Sequence, residues 1–171
     1  MRPGATGKHM IQKFDGRYGF LSNFYPCEIV HQGIVYPSVE HYYVAMKCNG
    51  PQFMNGSQYT PIDFREMVAK IAHPGTVKKL GRKISVRKDW NDKKLEFMNW
   101  AVREKFKDEK LAEMLLDTGE EEIVEGNSWN DTFWGVCEGK GQNHLGKILM
   151  KVRDELRGVQ RTGLEAILGL R

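Results

Sequence analysis

A chain of 171 residues, 40% hydrophobic and 28% charged, has the size and composition of one globular domain with a single sizeable core. Its 26 Lys and Arg against 22 Asp and Glu give a formal charge of +4, and setting aside Arg2 and Lys8 near the N-terminus leaves +2, too little for a protein held to nucleic acid by bulk electrostatics. No apolar run approaches the roughly 20 residues of a membrane span, and three widely spaced cysteines with no CxxC and no His pair at ligand spacing argue against a disulfide framework and structural zinc, and for a reducing, cytoplasmic setting.

Residues 1–9 are poor in apolar side chains, lack the apolar stretch of a secretory signal and precede a second methionine, Met10. They read as an added leader outside the fold. Residues 11–14 read as a short strand and 15–26 as an ordered loop. The β-rich runs 28–30 and 34–36 flank His31-Gln32-Gly33, a hairpin signal. Ser38, just after Pro37, is a good N-cap for a helix that stops near Cys48, because Gly50-Pro51 follows. Residues 49–59 read as a loop, and 61–71 and 76–83 as short helices. The clearest helix spans 91–107, where Leu95, Met98, Val102 and Phe106 form a core-facing stripe. A second helix carries Leu111, Met114 and Leu115, residues 121–125 form a short strand, and 128–141 form a loop rich in Trp, Asp and Gly. Leu145, Ile148, Leu149, Val152 and Leu156 mark the last amphipathic helix. The expected class is α+β, with several helices packed on a small, mostly antiparallel sheet. One domain should cover 10–158, with a helical tail over 159–171.

Three stretches are unlike plain scaffold. Phe20-Leu21-Ser22-Asn23-Phe24-Tyr25-Pro26 alternates rings with hydrogen-bonding groups, without the period of a strand or helix. Such a mixture suits a planar ligand, with Phe20 or Phe24 stacking on it and Ser22 or Asn23 fixing its edge; the alternative is a loop whose rings plug the core. Glu40 shares a helix face with Val44 and Lys47, beside the apolar stripe of Val39, Tyr43 and Met46. It therefore falls at the edge of the apolar face, where partial desolvation tunes a carboxyl for acid–base work. A dipole-stabilising role in the first helical turn is the competing reading, and His41 reads as a structural histidine. Asp131 lies in Trp129-Asn130-Asp131-Thr132-Phe133-Trp134-Gly135, and the glycines of 139–146 lead into a helix N-terminus. Free amides there could cradle a phosphate, or simply make a turn.

Together these segments resemble the NADAR family, also called YbiA-like. The likeness runs from about Phe14 to Arg157 and rests on Phe20-Leu21-Ser22-Asn23-Phe24, on the run from Tyr36 to Lys47, on Arg87-Lys88-Asp89-Trp90, on Asn130-Asp131-Thr132-Phe133-Trp134-Gly135, and on Gly141-Gln142-Asn143-His144-Leu145-Gly146 with the run from Leu149 to Arg153. Val44 departs from it, standing where the family's helix carries a polar residue, often Gln.

The resemblance implies an N-glycosidase. Some members act on phosphorylated ribosylamino-pyrimidine intermediates of riboflavin synthesis, and others remove ADP-ribose from guanine bases. It implies functional positions at Glu40, Trp90, Asp131 and Trp134, with Asn23 and Lys47 nearby. Glu40 and Asp131 are then the expected catalytic residues. Arg17, Phe20, Ser22, Asn23, Phe24, Lys47, Trp90, Trp134, Gly135 and Asn143 are the expected substrate contacts. No metal or cofactor is expected. The expected partner is an ADP-ribose-containing or phosphorylated ribosyl substrate, including ADP-ribosylated nucleic acid, and no membrane. A non-catalytic module that binds ADP-ribose or a nucleotide is the rival of another class.

Overall fold

The structure is a computed structural model that describes the backbone of residues 9–168 and the side chains of residues 9–163. Residues 1–8 of the expected leader and the last three residues of the expected tail lie outside the described residues. In chain order the elements are β1 (Met10–Ile11), a 3-10 turn (Gly16–Leu21), β2 (Ile29–His31), β3 (Ile34–Tyr36), α1 (Val39–Met46), β4 (Gln52–Met54), β5 (Ser57–Tyr59), α2 (Pro61–Lys70), α3 (Pro74–Leu80), α4 (Trp90–Lys105), α5 (Glu109–Leu116), β6 (Glu122–Ile123), β7 (Gly126–Asn127), β8 (Val136–Cys137) and α6 (His144–Leu168). The class is α+β. The described strands are distributed over four two-stranded pairs: two antiparallel hairpins, β2–β3 and β4–β5, and two parallel pairs, β1–β6 and β7–β8. Among the described residues no helix is long and apolar enough to cross a membrane.

The chain divides into two compact units, Ser22–Asp108 and the combination of Met1–Leu21 with Glu109–Arg171. In the first, β2 and β3 are joined by Gln32 (φ 51°) and Gly33 (φ 79°), the positive pair that a two-residue hairpin turn of matching twist requires. Asn55 (φ 50°) and Gly56 (φ 76°) make the same turn between β4 and β5. Residues 49–59, expected as a loop, thus contain a hairpin; strands of three residues carry too little alternation to be seen in sequence, and only Asn-Gly signals them. Helix α1 packs against α2, α3, α4 and β3, and all eight of its residues are buried. Thr60 and Asp63 form a capping box at α2, with Pro61 in the first turn.

Helix α4 buries Met98, Ala101, Val102 and Lys105, an i, i+3, i+4, i+7 stripe with a lysine in its last slot. In the second unit α6 packs on α5 and β6 through the stripe that begins at Leu145. Arg153 is buried there, donating to Thr118 Oγ1 (2.8 Å) and to the Glu121 carbonyl (2.9 Å). Helix α6 runs through Gly158 without a break.

Candidate active site

The site begins where β3 hands over to α1. Ser38 is extended (φ −161°, ψ 165°), and its Oγ accepts the His41 amide at 3.2 Å. The neighbouring Glu40 amide donates to the Asn23 carbonyl at 3.0 Å. Two amides that a helix start leaves without intrahelical partners are thus met from outside the helix. The sequence placed Glu40 on the edge of an apolar face. Helix α1 has no solvent face, and Glu40 is only 8% exposed. Its carboxylate lies in the first turn, the end of the helix macrodipole that favours negative charge.

Two turns on, Lys47 faces a group of rings. Its Nζ lies 5.5 Å from the centre of the Tyr43 ring and 5.8 Å from that of Trp90, within cation–π range, and donates to the Gly81 carbonyl at 3.4 Å. Burial lowers the pKa of the Lys47 ammonium, the Glu40 carboxylate opposes that, and Arg82 and Lys78 add to the lowering. One acidic and two further basic groups therefore act electrostatically on Lys47. The approach is close because Gly81 faces Val44: a Cβ on Gly81 would stand 3.0 Å from Val44 Cγ2. Val44, the departure from the family pattern, fills space between α1 and Gly81.

Trp90 packs against two further rings. Its ring lies 4.9 Å from Tyr43 and stacks at 5.9 Å, 20° between planes, on Phe97. Arg87 explains the motif before it. Its guanidinium forks onto the Asp89 carboxylate at 2.5 and 2.8 Å, its Cζ sits 5.2 Å from the Phe97 ring centre, and its amide donates to the Lys47 carbonyl at 2.8 Å. The start of α4 is thereby fastened to the end of α1.

The loop of Ser22, Asn23 and Phe24 is internally braced. Ser22 Oγ accepts the Phe24 amide at 3.1 Å, and Asn23 Nδ2 donates to Met98 Sδ at 3.6 Å. Phe24 remains 38% exposed, with Lys78 Nζ 5.7 Å from its ring centre. His41 is structural in its contacts. Its Nε2 donates to the Ile71 carbonyl at 2.8 Å, so Nδ1 accepts from the Ser38 hydroxyl at 2.6 Å, and burial keeps its pKa below the ordinary value.

The other expected residues fall in the second unit. Arg17 is exposed, bonded to the Tyr18 hydroxyl and lying over that ring at 4.5 Å, and Phe20 is buried. Asp131 Oδ1 accepts the amides of Phe133 (3.1 Å) and Trp134 (2.8 Å), while Asn127 holds the Asp131 main chain from both sides. That oxygen shapes the loop carrying Trp134, whose ring meets Phe133 edge-on at 4.9 Å. At Gly135 a Cβ would lie 2.2 Å from the Glu125 carbonyl oxygen, so only glycine fits.

Four amides of the stretch expected to cradle a phosphate are bonded within the protein. Those of Gln142, Asn143, His144 and Leu145 donate to the carbonyls of Thr132, Gly135, Phe133 and Trp134. The Asn143 side chain is committed as well, donating to the Ile123 carbonyl (2.9 Å) and accepting from the Glu125 amide (3.0 Å). A glycine-rich lead into a helix is legible in sequence, but the carbonyls that meet its amides are not.

Asn23, Glu40, Lys47 and Trp90 thus gather in one unit. Sequence reasoning did not single out Gly81, Lys78, Arg82 or the Arg87–Asp89 pair's bracing role. The visible signal is Arg-Lys-Asp-Trp itself, two opposite charges with one residue between them before a helix.

Comparison with known proteins gives these features a class. The chain is 40% identical over 146 residues to an N-glycosidase of Nostoc punctiforme, covering 83% of this chain and 88% of that one. The NMR structure of the E. coli protein YbiA, itself named an N-glycosidase, matches with a TM-score of 0.69 and 31% identity, covering 91% of this chain and 92% of YbiA. A riboflavin biosynthesis protein of Vibrio vulnificus is 40% identical over 147 residues, of which this chain spans 84% of its own length but 37% of the relative's. The α+β chain is an enzyme of the N-glycosidase class. Residues 11–157 match the NADAR domain, and the chain belongs to the NADAR family.

Proposed function

We propose that this N-glycosidase hydrolyses the bond between C1′ of a phosphorylated ribose and a base nitrogen, with Glu40 as the catalytic carboxylate. The observation that carries the reading is the burial of Glu40 in the first turn of α1, in the unit that also holds Lys47 and the Tyr43–Trp90 rings. As the C1′–N bond breaks, its electron pair leaves with the base and positive charge develops at C1′. A buried carboxylate stabilises that charge and takes a proton from the water whose oxygen bonds to C1′, the logic of carboxylate glycosidases. Trp90 and Phe24 offer rings for the base, and Lys47 offers a cation for phosphate. Asp131, Trp134 and Arg17 remain proposed contributors to the same reaction.

The first substrate class is an ADP-ribosylated base of the ADP-ribosyl-guanine type, free or on nucleic acid. The second, a ribosylamino-pyrimidine phosphate, is favoured by the riboflavin-biosynthesis name of the Vibrio relative. Mass spectrometry of both substrates incubated with wild type and with Glu40→Gln tests the reading. Wild type should release free base, and the variant should be slower by roughly 10²–10⁴-fold. Wild-type rates in the variant remove Glu40 from the mechanism. Tight binding without release by wild type makes the chain a binding module instead.

A further inference from the structure

Lys105 occupies the last slot of the buried stripe of α4 and is 2% exposed. A methionine there would complete the stripe with no charge to desolvate, and desolvating an ion costs several kcal/mol. Yet no carboxylate is among the contacts of Lys105 in the described residues. Its Nζ donates to the Ser22 carbonyl at 2.7 Å and lies 5.7 Å from the Tyr25 ring centre and 5.3 Å from that of Phe106. The next residue, Asn23, gives its carbonyl to the Glu40 amide and its side chain to Met98 Sδ, one α4 stripe position seven residues before Lys105. A path of bonded groups therefore runs from α4 through two successive carbonyls of the loop, those of Ser22 and Asn23, to the first turn of α1.

We propose that Lys105 is a positioning residue of the glycosidase site, fixing the Ser22 carbonyl and through it the adjoining Asn23 carbonyl, which holds the first turn of α1 and the Glu40 carboxylate. The inference rests on the assignment of Glu40 as catalytic. Lys105 touches no reacting atom; it acts through the loop. The titratable groups that face it are Cys27 and Tyr25, with Asp108 acting on Cys27.

The test compares Lys105→Met, which keeps the length and removes the donor, with Lys105→Arg, which keeps a donor, and with Glu40→Gln in parallel. The assays follow base release from an ADP-ribosyl-guanine and from a ribosylamino-pyrimidine phosphate. Lys105→Met should lower kcat by about 10- to 100-fold at unchanged KM, the scale of a small misplacement, and Lys105→Arg should recover part of it. A folded Lys105→Met with wild-type kcat beside an inactive Glu40→Gln overturns this inference alone. An active Glu40→Gln overturns the catalytic assignment. A raised KM at unchanged kcat puts Lys105 on the substrate and also overturns it. Should Lys105→Met not fold, the wild-type protein serves: the amide NMR signals of Asn23 and Glu40 should shift with the ionisation of Lys105, and still do so in Cys27→Ala. Signals that stay fixed through that ionisation break the proposed path.

Discussion

The amide of Glu40 donates to the carbonyl of Asn23, 3.0 Å away, so a main-chain bond joins the two sequence motifs that resemble an active site. A side-chain change at position 23 leaves that bond in place. Asn23→Ala should therefore lose the contact to Met98 Sδ and any substrate contact, lowering kcat/KM by about tenfold, the scale of one hydrogen bond of about 1.4 kcal/mol. Glu40→Gln should cost far more. Steady-state rates of the two variants check the order, and equal losses would contradict it.

Gly81 is the position where α1 meets the chain after α3 without a side chain between them. Gly81→Ala puts a methyl 3.0 Å from Val44 Cγ2 and near Lys47 Nζ. Overpacking of this kind costs typically ~1–3 kcal/mol. Thermal unfolding should show the loss, and Gly81→Ala combined with Val44→Ala should regain part of it. If the double variant loses the two single effects in full, the sites do not share this contact.

The hairpin at Gln32-Gly33, the Ser38 cap and the long helix of α4 were legible because each is local: a turn pair, a cap and a repeating stripe. The parallel pairing of Met10 with Glu122 was not, since nothing within either two-residue strand names its partner. The same holds for the amides of 142–145, which look free in sequence and are bonded to carbonyls of Thr132, Phe133, Trp134 and Gly135 earlier in the chain. In the site, residue identity at Glu40, Lys47 and Trp90 was visible, whereas burial was not. An amphipathic pattern placed Glu40 at an edge, and only the packing of three helices and β3 around α1 removes that edge. Lys105 stayed hidden because a lysine on an apolar stripe reads as solvent-facing until the fold shows it buried.

His41 predicts an acid limit to stability. Burial lowers its pKa, while its bond to the Ile71 carbonyl works against that. Below the unfolded value of about 6.5 the unfolded chain binds a proton that the folded site resists, so this stability is present above pH 6.5 and is lost as pH falls towards the folded value. His31 shifts the same way, again chiefly by burial. His41→Gln should be less stable at pH 7 yet flatter in melting temperature below pH 6.5. An equal acid slope in wild type and variant would assign the limit to other groups.

Lys105 predicts the opposite limb. Burial brings its pKa from 10.5 down to about 8. Below pH 8 both folded and unfolded states carry the proton, and the cost of burying the charge is fully present. Between pH 8 and the ordinary lysine range the folded state releases its proton while the unfolded state keeps it, so stability rises with pH. A shift of that size corresponds to roughly 3 kcal/mol at most. Cys27 works against the gain, because its thiol, raised mainly by burial, stays protonated in the fold after the unfolded thiol has ionised. The difference between wild type and Lys105→Met cancels most of that background. Denaturant unfolding of both at pH 7.5 and pH 10 should show wild type gaining on the variant as pH rises. A gap that stays constant would mean that Lys105 keeps its proton in the fold, and that the Ser22 carbonyl and the flanking rings compensate the buried charge more fully than their distances suggest.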